Sequence, residues 1–205
     1  MVVTGASTGI GRATARLLKS RGWRVLPTAR SRTDLDLLRG EGFQPVELDL
    51  ADSDSVEYAA KEVLELTHGV IGAVVNNAGY GQPGALEDLS RAAMRKQFET
   101  NVIGTLDFTN RFIPAMRAQG YGRIVLVSSV VGRVTIPFLG IYSASKFAVE
   151  AIGDGLHDPS GYGRLGLADG VLHCKRIRAP MPDDDHTVDA QERCPTNLEG
   201  INRPV

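Results

Sequence analysis

Over the first 153 residues, short apolar runs rich in β-branched side chains alternate with longer stretches in which apolar and polar positions are mixed. This alternation is typical of βα units around a parallel sheet. It predicts strands at residues 1–4, 24–28, 44–47, 73–76 and 123–128. It predicts helices at residues 11–20, 33–39, 53–66, 91–117 and 142–156. We therefore predict an α/β fold with a doubly wound parallel sheet, which binds ligands at the carboxyl ends of its strands.

The pattern changes near residue 157, which divides the chain into a predicted α/β domain at 1–157 and a tail at 158–205. The tail has prolines but a single aromatic residue, Tyr162, so it offers little apolar surface to offset the entropy of ordering it. Only residues 165–172 suit a further short strand or helix. The pattern thus predicts an irregular tail and an exposed edge on the strand at 123–128.

Composition narrows the classes of function. The 205 residues fit one domain, and a net charge of -1 provides no basic field for nucleic acid. No apolar run approaches the roughly 20 residues of a membrane helix, and no leader pattern precedes Gly5. Cys174 and Cys194 are too few and too far apart for a disulfide framework or a zinc site. We expect a cytoplasmic protein without a metal, whose partner is a small molecule rather than nucleic acid or a membrane.

A glycine-rich segment, 4–11, follows the first predicted strand and opens the first predicted helix. In a dinucleotide-binding turn, Gly5 would permit the tight bend, Gly9 would let the backbone approach a pyrophosphate, and Gly11 would allow close packing of helix on sheet. The alternative is a turn whose glycines serve backbone conformation alone. The phosphate-binding loop of NTPases ends in Gly-Lys followed by Ser or Thr. That lysine is absent here, because Arg12 follows Gly11.

A phenol and an ammonium lie four residues apart at Tyr142 and Lys146, so they share one face of a helix. A free phenol is a poor proton relay at neutral pH, and a nearby cation favours its ionised form. The alternative is a pair of ordinary surface side chains. Ser128 and Ser129 end the strand ahead of this helix, and Asn101 lies in the long helix before it.

Together these motifs resemble the short-chain dehydrogenase/reductase family over residues 1 to about 157. The spacing Thr-Gly-three residues-Gly-Ile-Gly, the run Asn76-Asn77-Ala78-Gly79, a serine after a strand, and Tyr142 with Lys146 occur in the family's order. The resemblance implies a Rossmann fold and a hydride transfer between nicotinamide and a carbonyl or alcohol carbon. It also implies a homo-oligomer, weakened here because the tyrosine helix is short.

By this resemblance Tyr142 is the general acid or base and Ser129 orients the substrate oxygen. Lys146 holds the nicotinamide ribose and assists the tyrosine, and Asn101 supports a proton relay through water. Ser129 is preferred to Ser128 because its separation from Tyr142 is the family's usual one. The resemblance implies that the following residues bind the cofactor: Thr4, Gly5, Ser7, Gly9, Ile10, Gly11, Arg30, Asp49, Leu50, Asn77, Ala78, Gly79, Tyr142 and Lys146.

The second predicted strand indicates which cofactor is used. A carboxylate there would bind the ribose of NAD, whereas an arginine accommodates the 2′-phosphate of NADP. Arg30 and Arg32 stand at this position and no acid occurs before Asp34, so we expect NADP(H). The alternative is a pair of solvated arginines.

The tail departs from the family, whose tyrosine helix leads into a further strand with a Pro-Gly turn. Residues 163–170 can be encoded by triplets that, in a shifted frame, give Ala-Val-Ser-Val-Ser-Leu-Met-Glu, a better sixth strand. A frameshift is therefore one hypothesis, which the coding DNA tests. A cofactor-binding but inactive or truncated member of the family is the alternative to an active enzyme.

Overall fold

The computed structural model describes residues 1–156 and, as backbone, the strand at residues 172–178. The 163–170 segment of the frameshift hypothesis and most of the predicted tail lie outside the described residues. Within the described residues, no helix combines the length and the apolar character needed to cross a membrane.

One sheet of six strands organises the described chain, in the order β3-β2-β1-β4-β5-β6. Its strands are β1 (Val2–Val3), β2 (Leu26–Ala29), β3 (Val46–Glu47), β4 (Ala73–Asn76), β5 (Tyr121–Val127) and β6 (Leu172–Arg178). Strands β1 to β5 are parallel, with Val2 opposite both Leu26 and Val74. The strand order changes direction between β1 and β4, the point at which doubly wound sheets bind ligands. The predicted fold class is confirmed.

Helices connect the strands on both faces of the sheet. They are α1 (Gly9–Ser20), α2 (Arg32–Gly40), α3 (Ser53–Leu66), α4 (Arg91–Phe98), α5 (Gly104–Asn110), α6 (Ile113–Gln119) and α7 (Gly140–Gly155). Ser31, Asp52 and Ser90 cap the N-termini of α2, α3 and α4, because each side chain accepts a hydrogen bond from the first turn.

Two apolar layers enclose the sheet. Val2 packs in the layer that contains Phe108, while its neighbour Val3 packs in the layer that contains Ala15 and Leu38. Successive side chains of a strand point to opposite faces, so both faces of β1 are covered. This double burial explains why the predicted strands are apolar throughout rather than alternating.

The prediction of one continuous helix at residues 91–117 is wrong. A π-helical turn, Glu99–Ile103, joins α4 to α5, and the chain leaves the helix after Asn110 before α6 begins. Pro114 explains the second interruption, because it has no N–H to donate to the carbonyl four residues earlier.

The strand β6 corrects the expectation that the β5 edge is exposed. It pairs antiparallel with the whole of β5, from Tyr121 opposite Arg178 to Val127 opposite Leu172. The tail predicted as irregular therefore contains one strand, whose backbone groups cover the edge. Of the segment 165–172, only Leu172 lies within the described residues.

Candidate active site

The ends of β1 and β4 are joined by side chains of the motifs that the sequence singled out. The hydroxyl of the buried Thr4 accepts hydrogen bonds from the backbone N–H groups of Asn77 and Ala78, both at 3.0 Å. The Asn77 amide donates in return to the carbonyls of Thr4 at 3.0 Å and Gly5 at 3.1 Å. These four contacts hold the start of the glycine loop against the end of β4.

The three loop glycines meet different requirements. Gly5 has φ 62° and lies so close to Ala78 that a Cβ would come within 2.7 Å of the Ala78 Cα. Gly11 packs directly against Gly5 and Asn77, where a Cβ would collide with both. Gly9 has φ 55° but no atom within 4 Å of its Cβ position. The backbone at Gly9 therefore faces open space that a ligand can approach.

The N-terminus of α1 differs from those of α2, α3 and α4. Its N-cap residue Thr8 makes no side-chain capping hydrogen bond, whereas theirs do, and its first turn, like that of α4, contains no acid. The terminal N–H groups and the helix dipole together favour an anion at such an end. Ser7 is half-buried beside this turn, and Ile10 is 67% exposed. The residues present thus fit the pyrophosphate of a dinucleotide.

The predicted adenosine side of the site follows β2 and β3. Arg30 is exposed just after β2 and makes no ion pair with the described residues. Asp49 is half-buried, and its carboxylate accepts a hydrogen bond from the Ala51 N–H at 2.9 Å. Leu50 is buried, and its carbonyl lies so close to Gly104 that a Cβ there would collide with it. Parallel strands bring these residues to the same edge as the glycine loop.

Tyr142 and Lys146 lie one turn apart on α7. The Lys146 ammonium donates to the Val127 carbonyl at the end of β5, at 2.8 Å, and lies 5.9 Å from the centre of the Tyr142 ring. Burial lowers the pKa of Lys146 to about 8, and the nearby carboxylate of Glu150 partly opposes this shift. The predicted pair is therefore a buried cation beside a half-buried phenol, not two solvated surface groups.

A loop after β4 packs flat against this pair. A Cβ on Gly79 would lie 3.1 Å from Asn101 Oδ1 and 3.8 Å from Lys146 Nζ, and one on Gly81 would lie 3.4 Å from the Tyr142 ring. The structure thus brings three members of the predicted tetrad, Asn101, Tyr142 and Lys146, around one loop.

Asn101 supports this loop from the π-helical turn. Its side-chain oxygen accepts from the Tyr80 N–H at 3.1 Å, and its amide donates to the Tyr80 carbonyl at 2.9 Å and to Ser145 Oγ at 3.1 Å. Ser145 donates in turn to the Tyr142 carbonyl at 2.7 Å. Such π-helical turns occur frequently at functional sites.

Sequence reasoning missed Gln97, which supports the same loop. This fully buried amide accepts from the Gln82 N–H at 2.7 Å and donates to the Tyr80 carbonyl at 2.9 Å. A signal for it was present in the sequence, because Gln97 precedes Asn101 by four residues and so lies on the same helix face.

The two candidate serines point in different directions. Ser128 is buried, and its hydroxyl lies in the packing beside Gly132 without a hydrogen-bond partner among the described residues. Ser129 is half-buried at the start of a 3₁₀ turn, Val130–Gly132, and its hydroxyl accepts from the Val131 N–H at 3.4 Å. Ser129 is thus the more accessible of the two.

Apolar side chains are exposed on the loop between Ser129 and Tyr142. Val134, Ile136 and Phe138 are 53%, 45% and 68% exposed. Phe138 has φ 62°, and its carbonyl accepts from the Gly84 N–H at 2.8 Å. This hydrogen bond ties the loop to the segment after Gly81, so both lie beside Tyr142.

Residues 1–163 match the family described as short chain dehydrogenase. Uncharacterized oxidoreductase YbbO of Escherichia coli K12 is 43% identical over 156 residues, which are 76% of this chain and 58% of that protein. A solved short-chain dehydrogenase from Streptomyces avermitilis matches with a TM-score of 0.71 and 36% identity, over 76% of this chain and 58% of that chain. An alcohol dehydrogenase from Thermococcus sibiricus, solved with 5-hydroxy-NADP, matches with a TM-score of 0.69 and 33% identity, over 76% of this chain and 68% of that chain. The chain thus spans a little over half the length of its E. coli relative.

Proposed function

Because the chain belongs to the short-chain dehydrogenase/reductase family, we propose that the protein is an NADP-dependent oxidoreductase acting on a carbonyl or alcohol carbon. Its substrate is an aldehyde, a ketone or a secondary alcohol. When bound, a reduced nicotinamide supplies the hydride for the reduction. The protein's own residues place the substrate oxygen and transfer the proton.

One observation carries this proposal: the buried ammonium of Lys146 lies beside the phenol of Tyr142, at the edge of the sheet where the glycine loop opens. Lys146 is only 6% exposed, and burying an ammonium costs free energy. A residue that bears this cost is a candidate for a functional role. Among the described residues, the Lys146 ammonium donates one hydrogen bond, to the Val127 carbonyl, so its other two N–H groups can donate to hydroxyl groups of a ligand. This position suits a cation that binds a ribose and favours proton transfer from the neighbouring phenol.

The remaining roles follow from the side chains that surround this pair. Tyr142 donates a proton to the substrate oxygen as the carbonyl is reduced, and takes it back in the oxidation. Ser129 donates a hydrogen bond to the same oxygen and polarises the carbonyl. Asn101 and Gln97 keep the Gly79–Gly81 loop in place against the phenol and the ammonium.

The preference for NADP rests on Arg30. An exposed guanidinium without an acidic partner among the described residues matches a 2′-phosphate dianion, and two parallel hydrogen bonds are available to it. The Thermococcus relative solved with 5-hydroxy-NADP supports the same choice. The cytoplasmic location and a homo-oligomeric state remain predictions.

A panel of aldehydes, ketones and secondary alcohols, assayed with NADPH and NADH by absorbance at 340 nm, tests the proposal. We expect turnover that is faster with NADPH. We also expect Tyr142→Phe to lower kcat by about 100-fold to 10,000-fold, the range of one general acid. The affinity for NADPH should stay within about twofold, because the ring still packs on Gly81.

Two other results would contradict the proposal. Equal turnover by the unchanged protein and Tyr142→Phe would remove the phenol from the mechanism. NADPH binding without turnover of any compound would support the alternative, a cofactor-binding but inactive protein.

A further inference from the structure

The 3₁₀ turn that follows Ser129 lies directly against helix α7. A Cβ on Gly132 would come within 3.2 Å of the Lys146 carbonyl and of the Glu150 Cγ. The turn therefore contacts the part of α7 that carries the proposed catalytic ammonium. Its distance from α7 determines how far Ser129 lies from Tyr142.

Hydrogen bonds within the turn set its shape but not its place on the helix. The Gly132 N–H donates to the Ser129 carbonyl at 2.9 Å, and the Arg133 N–H donates to the Val130 carbonyl at 3.0 Å. Both bonds begin and end in the same segment, so they move with it. They leave the separation between this segment and α7 to other contacts.

An ion pair ties the turn to α7. Arg133 donates to Glu150 Oε2 at 2.8 Å, with the Arg133 side chain 46% exposed and the Glu150 side chain 9% exposed. A carboxylate this deeply buried constrains its partner more than a surface pair does, because solvent competes less for it. Glu150 also follows Lys146 by one helical turn, so the carboxylate of this ion pair lies close to the Lys146 ammonium.

We infer that Arg133 and Glu150 are positioning residues, which hold the Ser129 turn against α7 so that the hydroxyls of Ser129 and Tyr142 reach one substrate oxygen. This inference rests on the proposed function. Neither residue needs to touch the substrate. The effect of Arg133 on the reaction passes through Ser129, whereas Glu150 also acts on the Lys146 ammonium.

The test compares Arg133→Gln in two backgrounds, the unchanged protein and Ser129→Ala. In the unchanged protein we expect kcat to fall about 10-fold to 100-fold, because a small misplacement of a reacting group has effects of that size. The affinity for NADPH should stay within about twofold. In the Ser129→Ala background the same change should alter kcat by less than about twofold, because the hydroxyl that it displaces is already absent.

Two further variants control the experiment. Arg133→Lys keeps the charge and should restore most of kcat. Arg111→Gln makes the same chemical change at another partly exposed arginine, which pairs with Asp107 at 3.2 Å and Glu57 at 3.5 Å. It should lower the melting temperature as much as Arg133→Gln does, without changing kcat.

Equal effects of Arg133→Gln in both backgrounds, or no effect in either, would overturn the positioning role while the proposed function stands. A loss of kcat in Arg111→Gln as large as that in Arg133→Gln would show a general effect of stability and would also overturn it. If the unchanged protein reduces no carbonyl compound, the proposed function fails and the inference fails with it.

Discussion

The two sides of the candidate site present different chemical groups, backbone on one side and apolar side chains on the other. Beside β1 and β4, polar side chains bind backbone groups: Thr4 and Asn77 make four hydrogen bonds across the strand ends. After β5, the loop toward Tyr142 exposes Val134, Ile136 and Phe138. The path of the backbone determines the shape of the first side. The identity of the exposed apolar side chains determines the shape of the second.

This difference indicates how the two ligands are recognised. A backbone-defined site suits a cofactor whose phosphates contact N–H groups, and it leaves few side chains free to vary. A surface of apolar side chains suits the body of a substrate, since each replacement changes the shape that fits. We therefore expect changes on the first side to disturb folding and cofactor binding together. Changes on the second side should alter substrate choice with less effect on the fold.

Lys146, where the two sides meet, gives the largest expected effect. Lys146→Met should lower kcat by about 100-fold or more, because it removes the cation beside the phenol. Stability should respond in the opposite sense. Burial lowers the pKa of folded Lys146 to about 8, against 10.5 for a freely solvated lysine, so the charged form destabilises the folded protein at pH 7. Each pKa unit corresponds to about 1.4 kcal/mol, so Lys146→Met should raise the free energy of unfolding at pH 7 by up to a few kcal/mol.

The sign of the pH dependence checks this argument. As the pH rises from 7 through 8 to 9, folded Lys146 releases its proton while the unfolded lysine keeps it, so the unchanged protein gains stability. The advantage of Lys146→Met should therefore shrink, as measured by urea denaturation at pH 7 and pH 9. Lys96→Met, which removes an exposed ammonium, is the matched control for the loss of a lysine. An advantage of Lys146→Met that grew with pH would contradict the assignment.

Arg30→Asp addresses the cofactor side alone. Replacing the guanidinium by a carboxylate removes a charge-assisted hydrogen bond, which contributes about 1.5–3 kcal/mol, and adds repulsion toward a phosphate. We expect the Kd for NADPH to rise by at least about tenfold and the Kd for NADH to change by less than about threefold, in fluorescence titrations. Arg21→Asp, at the opposite end of α1, controls for the change in net charge. Equal losses for both cofactors would place the phosphate elsewhere.

Phe138 gives the smallest expected effect and concerns the substrate side. Its φ of 62° is unfavourable for a residue with a side chain by about 1 kcal/mol. The free energy of unfolding of Phe138→Gly should thus be about 1 kcal/mol higher than that of Phe138→Ala. Both changes should raise the KM for bulky apolar carbonyl compounds. His68→Gly, at φ 52° outside the site, should change stability without changing KM. If neither Phe138 variant changes KM, this loop does not contact the substrate.

Most of the fold could be predicted where the pattern is local. Strand β4 and helix α3 have the bounds that the apolar periodicity predicts. The π-helical turn was not predicted, and the contact that it makes, between the Asn101 side chain and the backbone of Tyr80, forms only in the folded chain. Strand β6 was also missed: the segment Leu172–Arg178 is mostly polar, and its assignment rests on backbone pairing with β5 rather than on its own pattern.

The candidate site divides in the same way. The glycine loop, Asn77, Tyr142 and Lys146 are close in sequence to a strand end or to each other, so their spacing predicts their place. The roles of three other residues come from contacts between elements: Gln97 binds the loop after β4, and Arg133 pairs with Glu150. None of these residue types is unusual on a helix or in a loop. Phe138 has a backbone conformation that its residue type disfavours, which no propensity would predict.

The hydrogen bonds between Thr4 and Asn77 join residues 73 positions apart in the chain. During synthesis, the glycine loop therefore lacks its closing contacts until β4 has left the ribosome and paired with β1. Forming so distant a contact requires a large loop to close, which slows assembly relative to a helix such as α1. Competence to bind the cofactor should consequently arise late in folding, as a property of the assembled sheet rather than of the first βα unit. Amide hydrogen exchange in the glycine loop would then report the docking of β4.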